Sequence, residues 1–287
     1  SISRVSSSGN VADVDMADLI ENMGRDEETR IVCSYCEGVR EAGRLVRALG
    51  DMTPQKPLIM WKVGLTGAGA KAASSHTGAL TGQKDLWEGL FRQFHVLDVK
   101  DIEEMCDLAM AFYHLSPGGT GRVVIVSGPG GPAVSAADAV ERNGLSMAVP
   151  GRESLRRLKA ALPPAGTSPA NPVDVGLSAS FDIRLYQDAL EIVLDDPGVD
   201  AVVMLGGGAS LDISAEYIGG LIRAKERSDK HVIAIAYPGF VQIDQEELLR
   251  PLQEHGIPVY PTPERALRAY ARMSGYYRYQ ALRRNPG

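Results

Sequence analysis

The 287-residue sequence predicts an α/β protein built from two doubly wound, mostly parallel sheets. Three observations carry this. Short Val-, Ile- and Leu-rich runs alternate with stretches of helical apolar spacing, and several of the runs end in glycine turns. The alternation also halts at Ser116-Pro117-Gly118-Gly119-Thr120-Gly121 and then restarts. The expected division is residues 1–117 and 118–287, the first half lacking its N-terminal part.

Residues 1–5 open on a strand-like run without an initiator Met, so the chain reads as a segment of a longer protein. A helix is expected over 13–23, where Val14, Leu19, Ile20 and Met23 share a face and acidic residues sit in the first turn. A buried strand over 30–35 ends at Cys36-Glu37-Gly38 and leads into a helix over 40–49. Pro54 and Pro57 bracket the turn into a strand over 58–63. Helix 83–94, strand 96–99 and helix 102–114 complete the first half. In the second half, strand 123–126, a glycine turn and helix 133–143 come first. Strands follow at 201–205, 232–236 and 258–260, with helices at 183–194, 215–227, 245–254 and 264–273. Residues 280–287 read as a tail.

Composition excludes several function classes. Hydrophobic content of 44% and charge of 23% are those of a globular protein with ample core. A net charge of −6, with no basic run longer than a pair such as Arg283-Arg284, argues against a nucleic-acid surface. No apolar run approaches the roughly 20 residues of a membrane span, and no signal peptide is evident. Three cysteines fit a reducing, cytoplasmic compartment. Cys33 and Cys36 form a lone CxxC with no second pair, so zinc is not expected; two small residues at a strand end is the main reading and a redox pair the minor one.

The chemistry-bearing stretch is Lys71-Ala72-Ala73-Ser74-Ser75-His76-Thr77-Gly78-Ala79-Leu80, reached from strand 58–63 through a loop containing Gly64, Gly67 and Gly69. Small residues allow backbone and phosphate to approach closely, and an imidazole can act as a nucleophile near neutral pH. A histidine among Ser and Gly is more often a loop residue bonded to backbone. Glu37, ending a neighbouring strand, could hold the other ring nitrogen; a surface carboxylate opening a helix is the plainer alternative. Ser127-Gly128-Pro129-Gly130-Gly131-Pro132 places a glycine turn before a helix start, a setting for an anion, though a plain tight connection is as common. It has neither the Gly-Lys-Ser/Thr of a Walker loop nor a clean GxGxxG. Ala170-Asn171-Pro172-Val173-Asp174-Val175-Gly176 reads first as a capped turn, and Gly206-Gly207-Gly208 as a ligand-facing turn or a simple stop. Lys62 and Lys71 flank the histidine loop and could attract phosphate, although solvated lysines are commoner. His95, His114, His231 and His255 lack metal-ligand spacing.

Ala72-Ala73-Ser74-Ser75-His76-Thr77-Gly78-Ala79-Leu80 resembles the phosphohistidine loop of the NDP-forming acyl-CoA synthetases, relatives of succinyl-CoA synthetase. Tyr35-Cys36-Glu37-Gly38 resembles the segment whose glutamate contacts the active histidine, and the glycine turn resembles the helix start in the carboxyl domain of the β subunit. The resemblance spans nearly the whole chain as two flavodoxin-like domains. Phe94-His95 and the extra Pro129 and Pro132 are its departures. It implies His76 and Glu37 as catalytic residues, and Ser75, Thr77, Gly78, Gly128, Gly130 and Gly131 around phosphate. Asn171 and Asp174 would line the substrate site. It further implies CoA and Mg-ATP/ADP bound mainly elsewhere, by an upstream CoA-binding Rossmann domain and an ATP-grasp domain or subunit, in a homo- or hetero-oligomer. No flavin and no resident metal are expected. A small carboxylic acid would be the substrate. The alternative is a non-catalytic flavodoxin-like module that binds CoA or acyl groups for regulation, where the histidine is typically replaced.

Overall fold

The structure, a computed structural model, describes residues 2–8, 13–69, 71, 83–207, 210–236 and 245–284. These form two compact units, one of Ser1–Ala109 with Gly275–Gly287, the other of Met110–Ser274. Residues 2–5 are not a strand.

The first unit holds a parallel sheet ordered β1 (Val32–Cys36), β2 (Leu58–Lys62) and β3 (Leu97–Asp98). Helices α1 (Met16–Arg25), α2 (Ala42–Met52), α3 (Lys84–Phe94) and α4 (Ile102–His114) accompany it. Asp15 starts α1 as its N-cap in a reciprocal box with Asp18, which satisfies donors no helix can satisfy internally. Ile20, Leu45, Leu49, Leu58, Met60, Trp87 and Phe91 meet in its core.

The second unit is a six-stranded parallel sheet ordered β5 (Ser146–Met147), β4 (Arg122–Ser127), β7 (Ala201–Leu205), β8 (His231–Ile235) and β9 (Val259–Tyr260). Strand β6 (Val173–Asp174) also pairs with β4. Around the sheet run α5 (Gly130–Arg142), α6 (Arg152–Ala161), α7 (Arg184–Leu194), α8 (Leu211–Glu226), α9 (Gln245–Glu254) and α10 (Pro263–Arg284). Val123 to Val126 and Ala201 to Leu205 are fully buried. Strands covered on both faces need such unbroken apolar runs.

One edge of β4 is shared by two short strands, β5 pairing at Arg122 and Val123, β6 at Val126 and Ser127. Asn171 fills the step between them. Its Oδ1 accepts from the Ile125 amide at 3.0 Å, and its Nδ2 donates to the carbonyls of Val123 (2.8 Å) and Ala148 (2.9 Å). The side chain thus replaces missing ladder bonds. The Val123 carbonyl would keep its bond from Ala148 N at 2.8 Å, but Asn171→Leu would strand the Ile125 amide and the Ala148 carbonyl and should destabilise the second unit by about 3 kcal/mol, read as a lower urea midpoint.

Asp200 ties the amino ends of β4 and β7. Its carboxylate accepts from Thr120 N and Oγ1 (both 2.9 Å) and from Arg122 N (2.9 Å), Nε (3.0 Å) and Nη2 (2.7 Å). Burial alone would raise its pKa, but these hydrogen bonds overrule it and hold the carboxyl well below the carboxylate range. A depressed folded pKa gives stability that is full above the unfolded value near 3.9 and is lost as pH falls below it. Asp200→Asn should therefore flatten the acid limb of the stability–pH curve below about pH 5, measured by denaturant titration at several pH values.

The last helix runs further than its sequence suggests, through residues 280–284. Tyr276 Oη donates to the Thr53 carbonyl at 2.9 Å, and Gln280 Nε2 to those of Pro54 and Gln55 at 3.0 and 3.1 Å. Tyr279 stacks on His95 with ring centroids 3.7 Å apart. Among the described residues no helix is long and apolar enough to cross a membrane.

Candidate active site

In open parallel sheets, ligands gather beyond the carboxyl ends of the strands. In the first unit that edge is formed by Cys36 and Lys62, which are paired across β1 and β2. The ladder runs one bond further, Val63 N donating to Cys36 O at 3.0 Å, before the chains part. Glu37 follows immediately after β1, and the loop leading to the histidine stretch starts after β2. Oε2 of Glu37 is buried and has no hydrogen-bond partner among the described residues. The Tyr35 hydroxyl is pushed up in pKa by burial, then by the negative charge and hydrogen bond of the Glu37 side chain. A buried carboxylate oxygen without a donor costs free energy unless a further group occupies it.

Lys62 is not solvated. Only 7% exposed, it donates to the Glu37 carbonyl at 2.8 Å and to the Val63 carbonyl, and its Nζ lies 5.0 Å from the centre of the Trp87 ring. Burial lowers its pKa, against the opposing pull of Cys36 and Glu37. Two of the three donors of this ammonium are thus committed to carbonyls, and an aromatic face lies beside it. Cys33 is exposed and Cys36 buried, as strand residues three apart on opposite faces must be, so the CxxC cannot act as one dithiol. Burial pushes the Cys36 thiol up to about 11.

Ser75, His76, Thr77 and Gly78 lie outside the described residues. So does Gly208. The approach is described: Gly64 takes φ 77°, and Gly69 N donates to Thr66 Oγ1 at 3.1 Å.

In the second unit the glycine turn opens α5 one turn earlier than the sequence suggests. Pro129 is its N-cap and supplies no side-chain cap. Because Pro129 and Pro132 carry no N–H, Gly130 and Gly131 are the first-turn donors without an intrahelical acceptor. Both are exposed, and a Cβ on either would meet nothing within 4 Å. Gly128 is different. A Cβ there would lie 2.3 Å from Tyr186 Oη. Tyr186 is buried, its pKa pushed up to about 12 by burial, and its hydroxyl reaches the Leu205 carbonyl at 3.5 Å. Asp174 ends β6 beside Ser127 and accepts from Gly176 N at 2.8 Å through Oδ1. Asn171, in contrast, spends its side chain on backbone.

Two shaping residues carry no sequence signal of their own. Tyr186 reads as an ordinary apolar position of a helix, although the glycines ending β4 and β7 hint at a large side chain between them. Asp15 belongs to the acidic start expected of helix 13–23; it caps α1, and its Oδ2 also accepts from Arg40 N (3.2 Å) and Glu41 N (3.3 Å). Among the described residues no cluster of His, Cys, Asp or Glu could hold a metal ion.

Two parallel α/β units with polar groups and open amides at their carboxyl edges define a protein of the ligand-handling α/β class. Residues 1–112 match the succinyl-CoA ligase like flavodoxin domain, and residues 123–281 the ligase-CoA domain. The chain belongs to the NDP-forming acyl-CoA synthetase family, kin of succinyl-CoA synthetase. Similar proteins include the alpha subunits of ADP-forming acetate–CoA ligases II and I of Pyrococcus furiosus, each 35% identical. The alignments cover 94% and 98% of this chain, and 58% and 60% of the relatives. A solved acetyl-coenzyme A synthetase 1 of Ca. Korarchaeum cryptofilum, in complex with phosphate and ADP, superimposes with a TM-score of 0.81 at 27% identity. That match covers 96% of this chain and 59% of the other. The chain thus spans about three-fifths of these relatives.

Proposed function

We propose that this chain is the phosphoryl-carrying part of an ADP-forming acyl-CoA synthetase, acting in acyl-CoA + NDP + phosphate ⇌ acid + CoA + NTP. Phosphate oxygen attacks the thioester carbon and the CoA thiolate leaves, giving an acyl phosphate. A ring nitrogen of His76 then attacks phosphorus, the P–O bond to the acyl group breaks, and the carboxylate leaves. Glu37 accepts the hydrogen bond of the other ring N–H and balances the charged ring. In the last step an oxygen of the NDP attacks phosphorus and the N–P bond breaks. Splitting the transfer lets the acyl and nucleotide sites lie apart.

The observation that supports this reading is the buried Oε2 of Glu37, without a partner among the described residues, at the carboxyl edge from which the His76 loop departs. Ser75, Thr77 and Gly78 are proposed to surround the phosphoryl group, and Gly128, Gly130 and Gly131 to offer it backbone donors. Asp174 is proposed to line the substrate site, Asn171 contributing through the backbone it holds. By analogy with the relatives, CoA and Mg-nucleotide bind mainly in parts beyond this chain, a CoA-binding Rossmann domain and an ATP-grasp domain or subunit. The substrate is a small carboxylic acid and the setting cytoplasmic. The relatives' ligase names favour this over a non-catalytic module.

The test labels the complete enzyme with Mg-[γ-32P]ATP. A phosphoramidate is lost in acid and kept in base, and here it should map to the peptide containing His76. A label that is stable in acid, or that survives in His76→Ala, would refute the proposal.

A further inference from the structure

The proposed transfer needs a carboxylate held still, yet Glu37 stands in a connecting segment past the end of its strand. The segment 37–41 has no strand ladder of its own. Two charged side chains hold its ends, and the Cys36 thiol donates to the Gly38 carbonyl at 3.6 Å between them. At one end the Lys62 ammonium binds the Glu37 carbonyl at 2.8 Å and the Val63 carbonyl, closing the β1–β2 ladder one residue beyond its last backbone bond. At the other end Asp15 Oδ2 takes the amides of Arg40 and Glu41 at 3.2 and 3.3 Å. Charged groups make the stronger kind of hydrogen bond, and burial strengthens it further. The indole of Trp87, 6% exposed, covers the ammonium from the remaining side.

We propose that Lys62 is the positioning residue of the phosphoryl-transfer step: its ammonium, clamped between the carbonyls of Glu37 and Val63, fixes the backbone from which the Glu37 carboxylate is presented. This rests on the reading of Glu37 as the partner of the phosphorylated imidazole. Burying an ammonium is costly, and an apolar side chain of similar length would fill the same space against Trp87 at no desolvation cost. What the apolar residue cannot do is hold two diverging strand ends at a set separation. Lys62 touches neither phosphate nor acyl group on this account; it acts through Glu37.

The experiment follows the single-turnover rate of 32P incorporation from Mg-[γ-32P]ATP into the complete enzyme, in a double-mutant cycle. Glu37→Gln should slow labelling. Lys62→Met should slow it at least about 10-fold, without changing the ATP concentration for half-maximal rate, and the double variant should be no slower than Glu37→Gln alone. If Lys62→Met does not assemble, Lys62→Arg carries the same test. A planar guanidinium carries its donors on separate nitrogens in a rigid fork and does not draw both carbonyls to one atom, so it should slow labelling when Glu37 is present and not when Gln replaces it. Equal losses in both backgrounds, or none in either, would overturn the inference alone. Wild-type labelling in Glu37→Gln would overturn the reading of Glu37, and this inference with it.

Discussion

In His76→Asn the acid-labile adduct should vanish, and turnover of the complete enzyme should fall by about 10⁴-fold or more, the scale for removing a covalent nucleophile. Asparagine keeps a polar group near the imidazole's first nitrogen but offers no basic lone pair to phosphorus. Folding should be unaffected, with an unchanged denaturation midpoint. Glu37→Gln is a subtler loss. It keeps shape and one acceptor oxygen, and removes only the negative charge that balances the ring as it becomes cationic. On the order of 10²-fold in the labelling rate is expected. Its effect should be larger on phosphorylation from ATP than on any partial reaction that bypasses the histidine, such as acyl-phosphate formation from acyl-CoA and phosphate. Loss of both in equal measure would make Glu37 a structural residue.

How much of this was legible depended on how local the cause was. The strands at 58–62, 122–127 and 201–205 announce themselves because burial on both faces demands unbroken apolar runs. Strands β5 and β6, two residues each, leave no periodic trace, and their place beside β4 is set by the side chain of Asn171. Helix α10 outlasts the apparent stop at Ser274-Gly275 because Tyr276, Tyr279 and Gln280 gain contacts at Thr53, His95 and Pro54. Tertiary packing there overrides propensity. At the proposed site, Glu37 and the glycine turn are candidates through resemblance alone. The burial of Lys62 is not readable, since the two carbonyls that make an interior ammonium tolerable come from residues on both strands and the ring from a helix. Asn171 shows the converse: its turn is readable, but its side chain serves the sheet.

The other large effect concerns the shape of the glycine turn. Gly128→Ala would put a methyl 2.3 Å from Tyr186 Oη, with the ring's Cζ at 3.3 Å and the Gly176 carbonyl at 3.2 Å. Gly206→Ala would put one 2.4 Å from Cζ, 2.5 Å from Oη and 2.6 Å from Cε1. Real Cβ atoms do not come so close, so ring or backbone must shift. Each substitution should destabilise the second unit by about 3 kcal/mol, the upper end for overpacking, because Tyr186 is itself packed against Tyr217 at 5.2 Å. The two clashes differ in kind. Against Gly128→Ala only the hydroxyl oxygen is under 3 Å, and Tyr186→Phe removes that atom. Against Gly206→Ala two ring carbons are equally close, and phenylalanine keeps both. Tyr186→Phe alone gives up one long bond to the Leu205 carbonyl and should cost about 1 kcal/mol or less. In urea melts, then, Tyr186→Phe should restore most of the midpoint lost in Gly128→Ala and almost none of that lost in Gly206→Ala. Rescue of both would mean that the ring is free to tilt, and that a tyrosine wedged between two strand ends is not what keeps the turn before Gly130 open.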